Sequence, residues 1–236
     1  MTVNQIKFIK KLHQKKYRFE EKMYFVEGKK LVEEALENCP EKIEVIYTTE
    51  SENLYPENLT VEKISAKDMS RISALKSSSP FLAILKMTES PNLKAERTIY
   101  LENIKDPGNF GTIVRTADWF NLDAVYFSPE CVDVYNPKVI QSTMGSFFRV
   151  PLIELKPEHL PSLELPLIGA ALNGENLNSS KFSEKYCLVI GSESHGLSDE
   201  VMKLLDTKVK IPGTGKAESL NASIAAGILM YALNHS

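Results

Sequence analysis

The stretch TIYLENIKDPGNFGTIVRTA, Thr98–Ala117, decides the fold of the second half of this 236-residue chain. Its first four residues form an apolar strand pattern, and Pro107–Gly111 supplies the residues of a sharp turn. A helix is predicted from Phe110 to Phe120 by the helical spacing of its apolar positions. A strand followed directly by a helix is the repeating unit of parallel α/β sheets. Polar side chains in the turn are therefore expected at the carboxyl edge of a sheet, where such folds bind ligands.

The same alternation of strand and helix continues toward the C-terminus. Four further apolar strands are predicted, at Ala124–Phe127, Leu167–Ala171, Cys187–Ile190 and Lys208–Ile211. Helices are predicted to begin at Asn136–Pro137, at Ser198 and at Ala222. Residues 98–236 are expected to form one α/β domain with a parallel sheet, and Leu165–Leu172 and Ala222–Leu233 are interpreted as buried core.

The first half predicts a smaller α/β domain over residues 1–90. It has a helix with Ile6, Ile9 and Leu12 on one face, a helix after Gly28, and further short elements. Strands are predicted at Ile43–Tyr47, Leu59–Ile64 and Phe81–Leu85, and a short helix is predicted from Ser65 or Ala66 through Leu75. The polar segment Thr88–Arg97, which contains Pro91, is predicted to link the two domains.

Overall charge argues against a simple nucleic-acid binder, since the net charge is −3 and the pI is about 5.9. The distribution of charge differs from the sum, because no acid occurs from Met1 to Phe19. The basic residues of this segment are Lys7, Lys10, Lys11, Lys15, Lys16 and Arg18. Such a segment is compatible with a phosphate-binding edge or with a solvated helix face, and both readings stay open.

Several classes of protein are disfavoured by composition. No apolar run approaches the roughly 18 residues of a membrane span, and the charged N-terminus lacks the apolar core of a secretory signal. The three cysteines, Cys39, Cys131 and Cys187, are too far apart for a metal motif. The four histidines, His13, His159, His195 and His235, show no ligand spacing. A cytoplasmic protein without a metal site or a membrane partner is expected.

Two more loops follow predicted strands and carry polar residues. In VIGSESHGL, Val189–Leu197, Gly191 and Gly196 would let backbone groups approach a ligand, and Glu193 needs solvent or a donor. In IPGTGKAESLN, Ile211–Asn221, the spacing of a phosphate loop fails at two positions. Each polar residue also has a structural reading. Asn109 and Asn221 could be helix caps, and Arg115 could form a surface salt bridge.

Taken together, these segments resemble the SpoU/TrmH superfamily of RNA ribose methyltransferases. The first motif matches within DPGNFGTIVRTA at Asn109, Gly111, Arg115, Thr116 and Ala117. The second matches as GSESHGL and the third as Ile-Pro followed by SLNAS, Ser219–Ser223. The intervening YNPKVIQSTMGSFFRVPL is similar to the family pattern, and FVEGKKLVEEAL, Phe25–Leu36, resembles the family's L30e-like substrate-binding domain. One departure is Gly213, where the family commonly has Met.

The resemblance implies a fold of the SPOUT class, with a deep trefoil knot in the parallel-sheet domain and a preceding L30e-like α/β domain. It also implies a homodimer that uses S-adenosylmethionine to methylate a ribose 2′-hydroxyl of RNA. The separate N-terminal domain favours ribosomal over transfer RNA. The residues that match cofactor-binding positions are Gly191, Ile211 and Leu220. Those that match catalytic or substrate positions are Asn109, Arg115, Glu193, Ser219 and Asn221.

Two other functions compete with this hypothesis. A non-catalytic RNA-binding protein with a decayed methyltransferase fold would be expected to have lost Arg115, Glu193 or Asn221, and it has not. A dinucleotide enzyme on a Rossmann fold would need a GxGxxG turn after an early strand, and none occurs.

Overall fold

The computed structural model describes residues 1–51, 56, 58–88, 93–177 and 182–235. The chain divides into two compact units. The first comprises Met1–Glu89 with Asp133–Phe148, and the second comprises Ser90–Val132 with Arg149–Ser236. Pro91 of the predicted linker lies outside the described residues. Asp133–Phe148 thus groups with the first unit, although the sequence pattern placed it inside the second domain.

The helices and strands are numbered in chain order. The helices are α1 (Val3–Leu12), α2 (Lys15–Glu21), α3 (Lys29–Asn38), α4 (Ala66–Ile72), α5 (Pro107–Trp119), α6 (Pro137–Thr143), α7 (Asp199–Leu204) and α8 (Ala222–Leu233). The strands are β1 (Met23–Glu27), β2 (Ile43–Thr48), β3 (Val61–Lys63), β4 (Phe81–Lys86), β5 (Arg97–Leu101), β6 (Ala124–Phe127), β7 (Leu152–Glu154), β8 (Leu167–Asn176), β9 (Tyr186–Ile190) and β10 (Thr207–Lys210). Short 3₁₀ helices occupy Pro40–Lys42, Ser146–Phe148 and Pro157–Leu163.

The first unit is built on a four-stranded sheet in the order β1-β4-β2-β3. Strand β4 is antiparallel to both of its neighbours, and β2 and β3 are parallel. Apolar side chains of α1 and α4 pack on one face, and those of α3 and α6 pack on the other. Both faces are therefore covered, which explains why Ile46 and Tyr47 are both buried although they point in opposite directions.

A buried ion pair ties the segment Asp133–Phe148 into the first unit. The guanidinium of Arg18 on α2 bonds the carboxylate of Asp133, with 3% and 6% of the two side chains exposed. Arg18 also donates to the carbonyl of Leu12 at 2.8 Å. Burying a charge is costly unless it is paired and hydrogen-bonded. Arg18 is thus an internal residue, and it does not contribute to the basic surface that the sequence predicted.

The second unit contains a six-stranded sheet in the order β10-β8-β9-β5-β6-β7, and every pairing is parallel. The predicted parallel α/β fold is confirmed. Helix α7 and the 3₁₀ helix at Pro157–Leu163 cover the face that presents Tyr100. Helices α5 and α8 pack together and contact β6 and β9. None of the described helices is long and apolar enough to cross a membrane.

Candidate active site

The turn after β5 differs from its prediction at the start of α5. Asp106, not Asn109, caps the helix, because its carboxylate accepts the backbone N–H of Asn109 at 2.8 Å. Pro107 occupies the first helical position, where its missing N–H is harmless. The earlier start places Arg115 in the third turn instead of the second. It also leaves the side-chain amide of Asn109 available for other contacts.

Three segments that are distant in sequence meet at one carboxylate. Glu193 Oε1 accepts hydrogen bonds from Asn109 Nδ2, from Asn221 Nδ2 at 2.8 Å, and from the backbone N–H of Ala222 at 3.3 Å. Asn221 Nδ2 also donates to Asn109 Oδ1 at 3.0 Å. Charge-assisted bonds of this kind hold a carboxylate more firmly than neutral bonds do. We call these three side chains the Asn–Glu–Asn cluster.

Asn221 orients this cluster because it is also a helix cap. Its Oδ1 accepts the backbone N–H and the hydroxyl of Ser223, at 2.9 and 2.7 Å, and so caps α8. With the oxygen committed to the helix, the amide nitrogen points to Glu193. The two readings of Asn221, cap and site residue, are therefore both realised in one side chain.

A cavity of about 540 Å³ opens beside the cluster. It is lined by Asp106, Asn109, Glu193, Ser219, Leu220 and Asn221. Five of these residues were candidates from the sequence. Asp106 was not, and its place beside Pro107 at a strand-to-helix turn is the signal that could have found it. Arg115, Gly191 and Ile211 do not line this cavity.

The loop after β9 is closed on itself by its backbone. Ser192 and Gly196 exchange N–H···O bonds of 3.1 and 2.8 Å. A Cβ at Gly191 would lie 2.2 Å from the carbonyl carbon and oxygen of Gly196, so the two backbones touch. Gly196 has φ +67°, a conformation that L side chains rarely adopt. These glycines set the loop that carries Glu193.

Arg115 lies on a different side of α5 from the cavity. Its side chain is exposed, and it makes no hydrogen bond or ion pair with the residues that the structure describes. The surface salt bridge considered for it is therefore not formed there. Trp119, one turn further along, is 83% exposed. The structure does not bring Arg115 to the Asn–Glu–Asn cluster within one chain.

Comparison with known proteins identifies this fold and these motifs. The model of the SpoU rRNA methylase family matches residues 96–231. The chain belongs to this family. The model of the MRM3-like substrate-binding domain matches residues 4–83, so the expected N-terminal substrate-binding domain is confirmed as well.

Similar proteins span nearly the whole chain. A Bacillus subtilis protein named 23S rRNA (guanosine(2553)-2′-O)-methyltransferase RlmP is 32% identical and is aligned over 97% of this chain and 95% of its own. A TrmH-family structure described as a putative RNA methyltransferase from Porphyromonas gingivalis is 34% identical, covers 99% and 98% of the two chains and has a TM-score of 0.89. An AdoMet-bound rRNA methyltransferase from Sinorhizobium meliloti is 27% identical, covers 100% and 96%, and also has a TM-score of 0.89.

The buried carboxylate of Glu102 anchors the C-terminal end of the family's second motif. Glu102, directly after β5 and 8% exposed, accepts the backbone N–H of Ser198 at 2.8 Å and its hydroxyl at 2.6 Å. The same hydroxyl caps α7 by accepting the N–H of Val201 at 3.2 Å. The closed loop that carries Glu193 is thus fastened at its far end to the sheet. Glu102 was not among the site residues predicted from the sequence.

Exchange of Glu102 for Gln should loosen the loop that carries Glu193 without changing any residue that lines the cavity. The amide has one acceptor oxygen where the carboxylate offers two, so one of the Ser198 donors loses its charge-assisted partner. We expect the dissociation constant for S-adenosylmethionine to rise about tenfold or more, which is about 1.4 kcal/mol. Calorimetric titration measures this change. Glu27→Gln is a matched control, because Glu27 is 3% exposed and holds the loop at Ser73–Ser79 in the first unit. Equal cofactor affinity in Glu102→Gln and wild type would contradict the anchoring role.

The cysteines take no part in this chemistry. Burial raises the pKa of the Cys39 and Cys131 thiols and raises the pKa of Cys187 to about 12. Because of the raised pKa, these thiols stay protonated at neutral pH. Only the thiolate is a nucleophile or a metal ligand, so the three groups are inert. Within the described part of the chain, no three His, Cys, Asp or Glu side chains are grouped as a metal site would require.

Proposed function

We propose that this chain transfers a methyl group from S-adenosylmethionine to a ribose 2′-hydroxyl of ribosomal RNA and that it does so as a homodimer. The observation that carries the proposal is the Asn–Glu–Asn cluster, which gathers all three family motifs beside one cavity. Hydrogen bonds join Asn109, Glu193 and Asn221, whereas a decayed site would be expected to have lost such contacts. The assignments of catalytic and cofactor-binding residues below are part of this proposal.

We assign the cofactor to this cavity and to the loops that border it. Residues 212–220 form an exposed segment without helix or strand, and Leu220 offers an apolar contact beside the polar cluster. Leu220 would hold the cofactor in the cavity, whereas Gly191 and Ile211, which do not line it, would hold the cofactor through backbone groups of the loops after β9 and β10. When bound, it supplies an electrophilic methyl on a sulfonium, so no metal is needed to activate the carbon.

The chain's own contribution is positioning. A ribose hydroxyl is a weak nucleophile, and its oxygen must be held in line with the methyl group. Arg115 would grip an RNA phosphate with paired, charge-assisted bonds and so fix the adjacent ribose. Glu193 holds Asn109 and Asn221 rigid, and Ser219 would orient the substrate beside them. Arginine is a poor base, because it stays protonated in proteins, so we assign it positioning and not proton abstraction.

The homodimer is supported by an apolar surface on the second unit. Four large side chains of the packed helices α5 and α8 are exposed, namely Trp119 at 83%, Ile224 at 54%, Ile228 at 38% and Tyr231 at 58%. An exposed apolar patch on neighbouring helices is typical of an interface. The occupant that fits is a second copy of this chain, because Arg115 lies on the same helix as Trp119. A symmetric contact would then let Arg115 approach the partner's site.

Exchange of Ile228 for Glu should dissociate this dimer and abolish methyl transfer together. A charge in the middle of an apolar interface loses its solvation without gaining a partner, which costs several kcal/mol. Sedimentation equilibrium gives the mass. Leu172→Glu is the control, since Leu172 is 79% exposed on β8 and belongs to neither α5 nor α8. A dimeric, active Ile228→Glu protein would contradict the proposed interface.

The trefoil knot and a cytoplasmic location belong to the same proposal. The knot is supported by the family fold and by the contact of Asn221 with Glu193, which brings the loops after β9 and β10 together. If the chain is pulled by its two termini until it unfolds, a knot tightens and retains part of the chain. The measured extension should then be shorter than the contour length of the unfolded chain. Full extension would remove the knot from the proposal.

Ribosomal RNA is favoured as the substrate by the named relatives and by the N-terminal substrate-binding domain. The test is transfer of tritiated methyl groups to separated, unmodified ribosomal and transfer RNA. We expect label in ribosomal RNA, in the large-subunit species. Label confined to transfer RNA would overturn the substrate class but leave the reaction type intact.

A further inference from the structure

A lysine-rich surface covers the outer side of α1 and α2 in the first unit. Its exposed lysines are Lys7, Lys10, Lys11, Lys15 and Lys16. Tyr17 and the 50%-exposed Phe19 lie among them, and no Asp or Glu occurs before Glu20. Ile6, Ile9 and Leu12 fasten the opposite side of α1 to the core. We call this the α1–α2 surface.

Helix stability accounts for Lys10 and Lys11, which lie in the last turn of α1 where the helix dipole favours cations, but it does not account for the lysines of α2. Lys15 and Lys16 occupy the first turn of α2, whose N-cap Gln14 makes no side-chain bond and whose first turn has no acid. The helix dipole favours acids at that end and disfavours cations. Lys16 has one partner, Glu20 at 3.7 Å, but both side chains are more than half exposed, so the pair contributes little. The exposed acids of α2 are Glu20 and Glu21, at its C-terminal end, so the five lysines leave this surface with an excess of positive charge.

Lysine ammonium groups lie close to both aromatic rings of this surface. The amine of Lys11 lies 5.5 Å from the Tyr17 ring centroid, and that of Lys16 lies 5.8 Å from it. The amine of Lys15 lies 5.5 Å from the ring centroid of Phe19. An exposed aromatic ring with adjacent cations is the arrangement on which unpaired bases stack while their phosphates are neutralised.

Elsewhere in the first unit the charges are mixed. From Glu20 to Thr88 acids outnumber bases, and cations pair with them, as in the ion pairs of Lys86 with Glu44 and of Arg71 with Asp68. The α1–α2 surface is thus a local positive region on a chain whose net charge is −3.

We propose that the α1–α2 surface binds an unpaired segment of the RNA substrate, with the lysines contacting phosphates and Phe19 stacking on a base. This inference rests on the proposed function for the identity of the RNA. It adds the location and the mode of binding. It also resolves the two readings of the basic N-terminal segment in favour of phosphate binding, carried by five lysines and not by the buried Arg18.

The first test is the salt dependence of binding to 23S ribosomal RNA transcribed in vitro. The variant is Lys7→Gln, Lys11→Gln, Lys15→Gln in the full chain. Because each lost contact to single-stranded RNA removes about 0.7 from the slope of log K against log salt, we expect a decrease of about 2 and roughly 100-fold weaker binding at 0.1 M salt. The control variant is Lys63→Gln, Lys67→Gln, Lys86→Gln, which makes the same charge change in the same unit and should leave the slope near the wild-type value.

The second test isolates stacking with a 20-nucleotide oligouridylate. Phe19→Ala should bind it more weakly, on the order of tenfold, and Phe19→Tyr should restore the affinity because the ring is retained. An unchanged affinity in Phe19→Ala would remove the stacking role.

The outcomes separate this inference from the proposed function. If the slope of log K against log salt decreases in the α1–α2 variant but not in the control, RNA binding by this surface is supported, even if the wild-type protein methylates no RNA. Equal slopes in the two triple variants overturn it even if wild-type protein methylates ribosomal RNA normally. Cofactor binding, measured in parallel, should be the same in all of these proteins.

Discussion

Exchange of Arg115 for Ala should abolish methyl transfer while leaving cofactor affinity nearly unchanged. Arg115 is exposed and lies outside the cavity that we assign to the cofactor, so its removal leaves the Asn–Glu–Asn cluster intact. Without the guanidinium, the ribose oxygen is no longer held in line with the methyl group. Misplacement by about 1 Å is enough for a roughly 100-fold loss of rate, and we expect at least that in a single-turnover assay.

Two further variants make this result specific. Arg115→Lys keeps the charge but loses the planar fork that binds a phosphate with two parallel bonds, so its rate should fall between wild type and Ala. Thr112→Ala changes an exposed position one turn earlier on α5 and should transfer methyl normally. A single-turnover rate of Arg115→Ala equal to wild type would exclude the positioning role.

Exchange of Gly191 for Ala should remove cofactor binding altogether. The new Cβ would meet the backbone carbonyl of Gly196 at 2.2 Å, and neither backbone can yield while Ser192 and Gly196 remain bonded to each other. The loop must open and carry Glu193 away from Asn109 and Asn221. The cofactor would lose both the backbone of this loop and the hydrogen bonds that orient Glu193. We therefore expect the affinity for S-adenosylmethionine to fall by about 100-fold or more, which is about 2.7 kcal/mol.

Gly213 provides the matched control for this variant. A Cβ there would meet nothing within 4 Å, so Gly213→Ala should bind the cofactor as wild type does. The family commonly has Met at this position, so a side chain should be tolerated there. Thermal melting of both variants separates a local change from unfolding. Wild-type cofactor affinity in Gly191→Ala would show that this loop does not form the binding site.

The strand and helix pattern of the second unit could be predicted because its signals are local. Helix α8 has the predicted bounds Ala222–Leu233, and Ser198 and Asn136 cap α7 and α6 as expected. Strand β7, Leu152–Glu154, has only three residues and was missed, whereas the equally short β3 lies within the predicted strand Leu59–Ile64. The predicted start of α5 at Phe110 was wrong. The residues interpreted as a turn, beginning with Pro107, already form the first turn of the helix.

The contacts that assemble the site could not be predicted because they join residues far apart in sequence. Glu102 and Ser198 are 96 positions apart, and Asn109 and Asn221 are 112 apart. The sequence shows that each residue is polar but not which partner makes its burial tolerable. The grouping of Asp133–Phe148 with the first unit has the same cause.

The interpretation of α8 as buried core was partly wrong. Ala226, Leu229 and Met230 are buried, but Ile224, Ile228 and Tyr231 are exposed. An all-apolar helix gives the same pattern whether its second side faces the interior or another chain. Leu172 was assigned to the core because it ends the apolar run Leu165–Leu172, although it is 79% exposed on strand β8.

The most direct test of the central claim is the chemical position of the transferred methyl group. Ribosomal RNA that has been methylated by wild-type protein is digested to nucleosides, and the product is separated by chromatography and identified by mass. We expect a 2′-O-methylnucleoside whose extra mass stays with the ribose on fragmentation, and we expect none with Arg115→Ala. A methyl group that stays with the base, or no product despite measured cofactor binding and RNA binding, would contradict it.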